Sequence, residues 1–147
     1  MKLQFITSLQ VITPVELMYA GQPDSANTFC MTELHADLST FQGFMAEFLA
    51  TGILVFFACG VWDCRNVKNT DSMPMRFGFC VTALSLIFIP FTGCSMNPAR
   101  TLGPAVWNNY WSNHWVYWLG PLGGSIVVSL IYRCLFIYNR REPGQCD

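Results

Sequence analysis

Residues 92–100 read Thr92-Gly93-Cys94-Ser95-Met96-Asn97-Pro98-Ala99-Arg100, and the placement of this stretch decides the fold. Apolar runs of membrane-spanning character lie on either side of it. It nevertheless holds a glycine, a proline, an asparagine and a full positive charge. Irregular backbone and an arginine at membrane depth are tolerated only where protein buries them or where they line a wet cavity. Asparagine is a favoured N-cap and proline a favoured first helical residue, so Asn97-Pro98 also marks a helix start. The stretch therefore predicts a half-helix that begins inside the membrane. Its positive dipole end and the Asn97 amide would face a pore.

The composition agrees with a membrane protein rather than one small soluble domain. Only 12% of the 147 residues are charged while 52% are hydrophobic, and the apolar residues come in long blocks. A formal net charge of −1 offers nothing to attract nucleic acid. The seven cysteines (30, 59, 64, 80, 94, 134 and 146) lack paired spacing and mostly sit in or beside apolar runs. They read as small hydrophobes, not as a disulfide framework. No small-residue cleavage site follows the start MKLQFITSLQVI, so no signal peptide is expected. His35 and His114 have no cysteine or carboxylate at ligand spacing, and neither a nucleophile–base pair nor a phosphate-binding glycine loop is present. No metal, no cofactor and no enzymatic activity are expected.

Outward from the central stretch, hydropathy divides the chain. A bilayer span needs about 20 helical residues, so residues 2–12 are too few. The polar region 13–40 carries no Lys or Arg and reads as a loop. The first complete span is expected over about 42–62, interrupted only by Glu47, and a basic aqueous loop with Arg65, Lys68 and Arg76 follows. A short second span is expected over about 77–91, the half-helix over about 97–108, and the last span over about 115–138. Arg140 and Arg141 follow that last span. The positive-inside rule puts both basic segments in the cytoplasm, with the polar loop and the Asn97 turn facing outward.

Residues 92–108 (TGCSMNPARTLGPAVWN) and 112–124 (SNHWVYWLGPLGG) resemble the second pore loop and last helix of the aquaporins, or major intrinsic proteins. Residues 41–66 (FQGFMAEFLATGILVFFACGVWDCRN) resemble the fourth helix of that family. The resemblance implies an all-α membrane protein, the second half of the aquaporin fold: three transmembrane helices plus one re-entrant half-helix carrying Asn-Pro-Ala. Residues 1–40 then read as the remnant of a third helix with an extracellular loop, and 41–147 as the C-terminal half. The family's pore is enclosed by two inverted halves, and this sequence holds one Asn-Pro-Ala. The resemblance thus implies a multi-pass plasma-membrane channel subunit for water, glycerol or urea, incomplete as it stands, in a homotetramer or with full-length aquaporin subunits. The alternative expectation is a non-conducting truncated fragment that associates with full-length subunits and regulates them.

By the same resemblance Asn97 donates to passing solute, Pro98 fixes the first turn and Ala99 lets a second half-helix tip approach. Arg100 becomes the arginine of the outer filter, whose fork of donors suits neutral solutes and whose charge repels cations. The carbonyls of Gly93, Cys94 and Ser95 are expected opposite it, with the Cys94 thiol pointing into the filter. Glu47, a carboxyl in an apolar span that needs a partner, is expected to brace the backbone of the pore loop. Ser85 stands twelve residues before Asn97, where water-selective members carry a histidine. A hydroxymethyl there widens the constriction. Thr101 replaces the aspartate that follows the arginine in ordinary glycerol facilitators, and Ala105, Tyr117 and Trp118 match the water-channel pattern. With Cys59-Gly60-Val61-Trp62-Asp63, this combination resembles the entomoglyceroporins, insect channels of water-channel ancestry that have lost the filter histidine.

Overall fold

The computed structural model describes residues 31–63, 65–66 and 71–137. These hold three long helices, one short helix and no strand. The expected third-helix remnant, Lys68, and the tail with Arg140 and Arg141 lie outside the described residues.

Helix α1 (Thr40–Val61) starts at a capping box: Ser39 Oγ accepts the Gln42 amide and Gln42 Oε1 accepts the Ser39 amide. Helix α2 (Met73–Thr92) begins four residues before the expected 77. Pro74 stands in its first turn, where the missing N–H costs nothing, and Arg76 lies exposed on the helix rather than in the loop. Gly93, at φ +73°, ends α2 in a left-handed cap. Helix α3 (Pro98–Asn108) is capped by Asn97 and closed by Asn109, and α4 (Val116–Tyr132) runs on into a π-turn, Arg133–Ile137.

Three helices are long and apolar enough to cross a bilayer: Thr40–Val61, Met73–Thr92 and Val116–Phe136, the last being α4 with most of its π-turn. Helix α3, at 11 residues, is about 16 Å long, roughly half of a bilayer's hydrocarbon core. Leu49, Ile53, Phe79, Leu86, Ile126 and Leu130 all point outward and are exposed. Apolar surface of that extent suits lipid rather than water.

Two contacts organise the bundle. The first joins α1 to α4 through small residues. A Cβ on Gly124 would strike the Phe48 carbonyl, and one on Gly120 would sit 2.9 Å from Glu47 Cβ. Bare glycines let the backbones meet, which is how helices pack tightly in lipid. The second is a buried cluster of Ala50, Leu84, Cys94 and Met96, with Leu54 and Phe88 against it. It seats α1 and α2 on the turn between α2 and α3. At one end of α4 Trp115 stacks on Phe44, and at the other Tyr132 donates to Asp63 Oδ2 at 2.7 Å.

The candidate site at the 92–101 turn

Between α2 and α3 the backbone adopts left-handed φ three times, at Gly93 (+73°), Cys94 (+49°) and Met96 (+51°). For residues other than glycine this costs on the order of 1–3 kcal/mol each and persists only where surroundings impose it. The surroundings here centre on Glu47. Its carboxyl is fully buried. Oε1 accepts the Thr92 hydroxyl at 2.6 Å and the Ser95 amide at 2.9 Å, and Oε2 accepts the Met96 amide at 2.8 Å. The Cys94 amide donates to Thr92 Oγ1, and the Tyr117 hydroxyl of α4 donates to the Thr92 carbonyl at 3.0 Å. Four polar groups that the turn withholds from secondary structure are thus paired from α1, α4 and a neighbouring hydroxyl.

Past the turn, Asn97 Oδ1 accepts the Ala99 amide at 2.9 Å, closing the N-cap. With that oxygen engaged, the side-chain NH2 is the part of Asn97 left to donate. Ala99 is exposed beside it. Arg100, on the first turn of α3, is half-buried and its Nη1 donates to the Cys94 carbonyl at 2.6 Å. The arginine and the Cys94 carbonyl are therefore bonded partners, a tighter relation than the expected facing arrangement.

Cys94 itself has no exposed surface. Its Sγ donates weakly to the Leu84 carbonyl at 3.5 Å and packs in the Ala50–Leu84–Met96 cluster. Ser85 is buried on α2, next to the Cys94 thiol. Asn97, Arg100, Cys94 and Ser95 thus gather around one turn, and Ser85 is the buried residue after Leu84, whose carbonyl Cys94 touches. His114 Nε2 accepts the Trp118 indole, His35 pairs with Asp37 at 3.6 Å, and no cluster of three candidate ligands occurs among the described residues.

Three groups here escape sequence reasoning. The Thr92 hydroxyl emerges only as a partner, and so does the bond that Tyr117 makes to the turn, although a tyrosine in an apolar span needs somewhere to put its O–H. The third is the segment 31–35 that covers the turn. Its His35 amide donates to the Phe91 carbonyl at 2.9 Å, and Thr32 bonds Thr101 at 2.8 Å. Glu33 accepts the Tyr110 hydroxyl at 2.5 Å, a bond that raises the phenol's pKa above its ordinary value. No local signal marks such contacts, because the partners are up to 77 residues apart.

A buried carboxyl holding a left-handed turn ahead of an Asn-Pro-Ala helix is a specific arrangement, and comparison of the sequence supplies its context. Residues 3–132 match the profile described as Major intrinsic protein. The chain belongs to the major intrinsic protein family. Similar relatives include aquaporin-4 of Mus musculus, 38% identical over 87% of this chain and 40% of the relative. Aquaporin-2 of Rattus norvegicus is 39% identical over 91% of this chain and 46% of its own length. Aquaporin TIP4-2 of Zea mays is 41% identical over 75% of this chain and 43% of its own. The chain spans less than half the length of these curated relatives. Family membership and three apolar helices together make this major intrinsic protein an integral membrane protein.

Proposed function

We propose that this chain contributes one Asn-Pro-Ala half-helix to an aquaporin-type channel subunit that passes water and small neutral solutes such as glycerol and urea. In this reading α3 is re-entrant, the Asn97 amide and Arg100 donate to the solute, and Gly93, Cys94 and Ser95 lend carbonyls. Glu47 braces the loop, and Pro98 and Ala99 shape its tip. A family of channels argues against an enzyme, and a plasma-membrane homotetramer is the assembly the reading takes. The observation that carries it is Arg100: a half-buried guanidinium, bonded to the Cys94 carbonyl and three residues from an Asn N-cap with free amide donors. An arginine at membrane depth belongs beside a wet path.

The solute range rests on Ser85. Its side chain is smaller than the histidine ring that would narrow the path, which supports an entomoglyceroporin-like selectivity. The test measures water and glycerol permeability of vesicles carrying the protein, alone and co-reconstituted with a full-length relative. No flux above protein-free vesicles is expected from the chain alone; in the setting of a full-length channel, Ser85→His should reduce glycerol and urea flux while leaving water flux largely intact. Glycerol flux unchanged by Ser85→His would remove Ser85 from the filter. If the chain lowers the flux of its full-length companion, the non-conducting, regulatory reading replaces the channel.

A further inference from the structure

Three hydroxyls and a carbonyl stand in a line between the covering segment 31–35 and the start of α3. Ser95 Oγ donates to the Asn97 carbonyl at 2.8 Å. A hydroxyl has one proton, so in its 2.6 Å contact with Thr101 Oγ1 Ser95 accepts and Thr101 donates. Thr101 has then used its own proton. In the 2.8 Å contact between Thr32 and Thr101, Thr32 must donate. The chain runs one way, Thr32 to Thr101 to Ser95 to the Asn97 carbonyl. All three residues are more than nine-tenths buried, and in such surroundings each hydrogen bond polarises the next.

The two ends matter. Thr32 lies against the cap of α2, its Cα 2.9 Å from where a Cβ on Gly93 would stand. The far end is the carbonyl of Asn97, which also accepts the Arg100 amide at 3.0 Å. Thr101 is the next residue after that arginine.

We propose that Thr101 is a positioning residue for Asn97 and Arg100: as the central donor and acceptor of this one-way chain, it ties their placement to the segment 31–35. It tunes passage of solute without touching it, an inference that rests on the channel reading above. The chemistry is exacting, because the central group must accept one hydrogen bond and donate another. Serine does both. Valine has the shape of threonine but does neither, which strands the Thr32 proton and leaves the Ser95–Asn97 bond alone. A carboxylate at 101 only accepts, and would draw the Ser95 proton away from the Asn97 carbonyl.

The test compares Thr101→Ser, Thr101→Val and Thr101→Asp in the whole chain, co-reconstituted with a full-length relative in lipid vesicles, with two readouts. One is the glycerol-to-water permeability ratio. The other needs no conduction: the rate at which iodoacetamide labels the fully buried Cys94, followed by peptide mass spectrometry. Thr101→Val removes two buried hydrogen bonds, each worth several-fold to roughly tenfold in an opening equilibrium, so Cys94 labelling should rise about tenfold or more in that variant. It should rise further in Thr101→Asp and stay near wild type in Thr101→Ser. Thr32→Val added to Thr101→Val should change little more, since that link is already broken. A packing role for Thr101 predicts the opposite order, with valine harmless and serine, which lacks the methyl, harmful. That order, or full additivity of Thr32→Val and Thr101→Val, overturns the proposal. The expected labelling order without any solute flux beyond that of the relative leaves the hydroxyl chain standing and overturns the channel reading instead. Flux that follows Ser85→His as expected, with labelling indifferent to residue 101, overturns the positioning role alone.

Discussion

Glu47 accepts three hydrogen bonds with no surface exposed to solvent, and two of them come from backbone amides that α2 and α3 leave unpaired. Glutamine keeps the shape but turns one acceptor oxygen into an NH2. The Met96 amide, or the Ser95 amide with the Thr92 hydroxyl, would then face a donor. Leaving a buried donor unsatisfied costs about 1–3 kcal/mol, and the left-handed Cys94 and Met96 add strain that the carboxyl no longer opposes. Glu47→Gln should therefore lower the thermal unfolding midpoint in detergent by several degrees. It should also open the chain to limited proteolysis within residues 92–97. A midpoint equal to wild type would mean that the turn is held by packing alone. The need of Glu47 for partners was legible in the sequence, since a carboxyl in an apolar span demands them. Their identity was not, because Ser95 and Met96 lie 48 and 49 residues away.

At the scale of elements, the α1–α4 contact is the tightest constraint. Phe48 O and Gly52 N of α1 crowd the place where a Gly124 side chain would be, the latter at 3.2 Å. Both are backbone atoms and cannot swing aside. Overpacking of this kind typically costs 1–3 kcal/mol, and lipid offers no competing hydrophobic drive to hold the helices together. Gly124→Ala should separate α1 from α4 and loosen the Glu47 end of the site as well, because Gly120 packs on Glu47 Cβ one turn away. Lowered thermal stability together with increased iodoacetamide labelling of Cys94 is the expected pair of results. Labelling that stays at the wild-type rate would show that the turn does not depend on this seam. The helices themselves were readable from hydropathy, apart from the start of α2. Arg76 there resembles loop composition, yet an exposed arginine on the first turn of a membrane helix keeps its charge at the interface.

For the molecule as a whole, the distribution of charge predicts an orientation. No Lys or Arg occurs between Lys2 and Arg65, whereas Arg65 and Lys68 lie between α1 and α2 with Arg76 on the first turn of α2, and Arg140 and Arg141 follow α4. The positive-inside rule assigns both clusters to the cytoplasm. An odd number of spans from segment 31–39 to the tail places them on opposite sides. With Asp37→Cys and Gln145→Cys in intact cells, an impermeant maleimide should label position 37 and spare position 145. Labelling of position 145 from outside would invert the topology, and with it the side on which segment 31–35 covers the turn.

Membrane residence, the count of spans, the Asn97 cap and family membership all follow from local composition and short motifs. Each depends on residues adjacent in the chain, so one dimension suffices. The arrangement of the site does not. Gly120, Gly124 and Thr32 look unremarkable along the chain, and the partners of Tyr117 and Thr101 appear only when α4 and segment 31–35 close on the turn. Hydrogen bonds such as Thr32–Thr101 and Glu47–Met96 join residues 69 and 49 positions apart. Such pairings are fixed by how helices of given length cross and by where glycines let them approach, which is information that only three-dimensional packing contains.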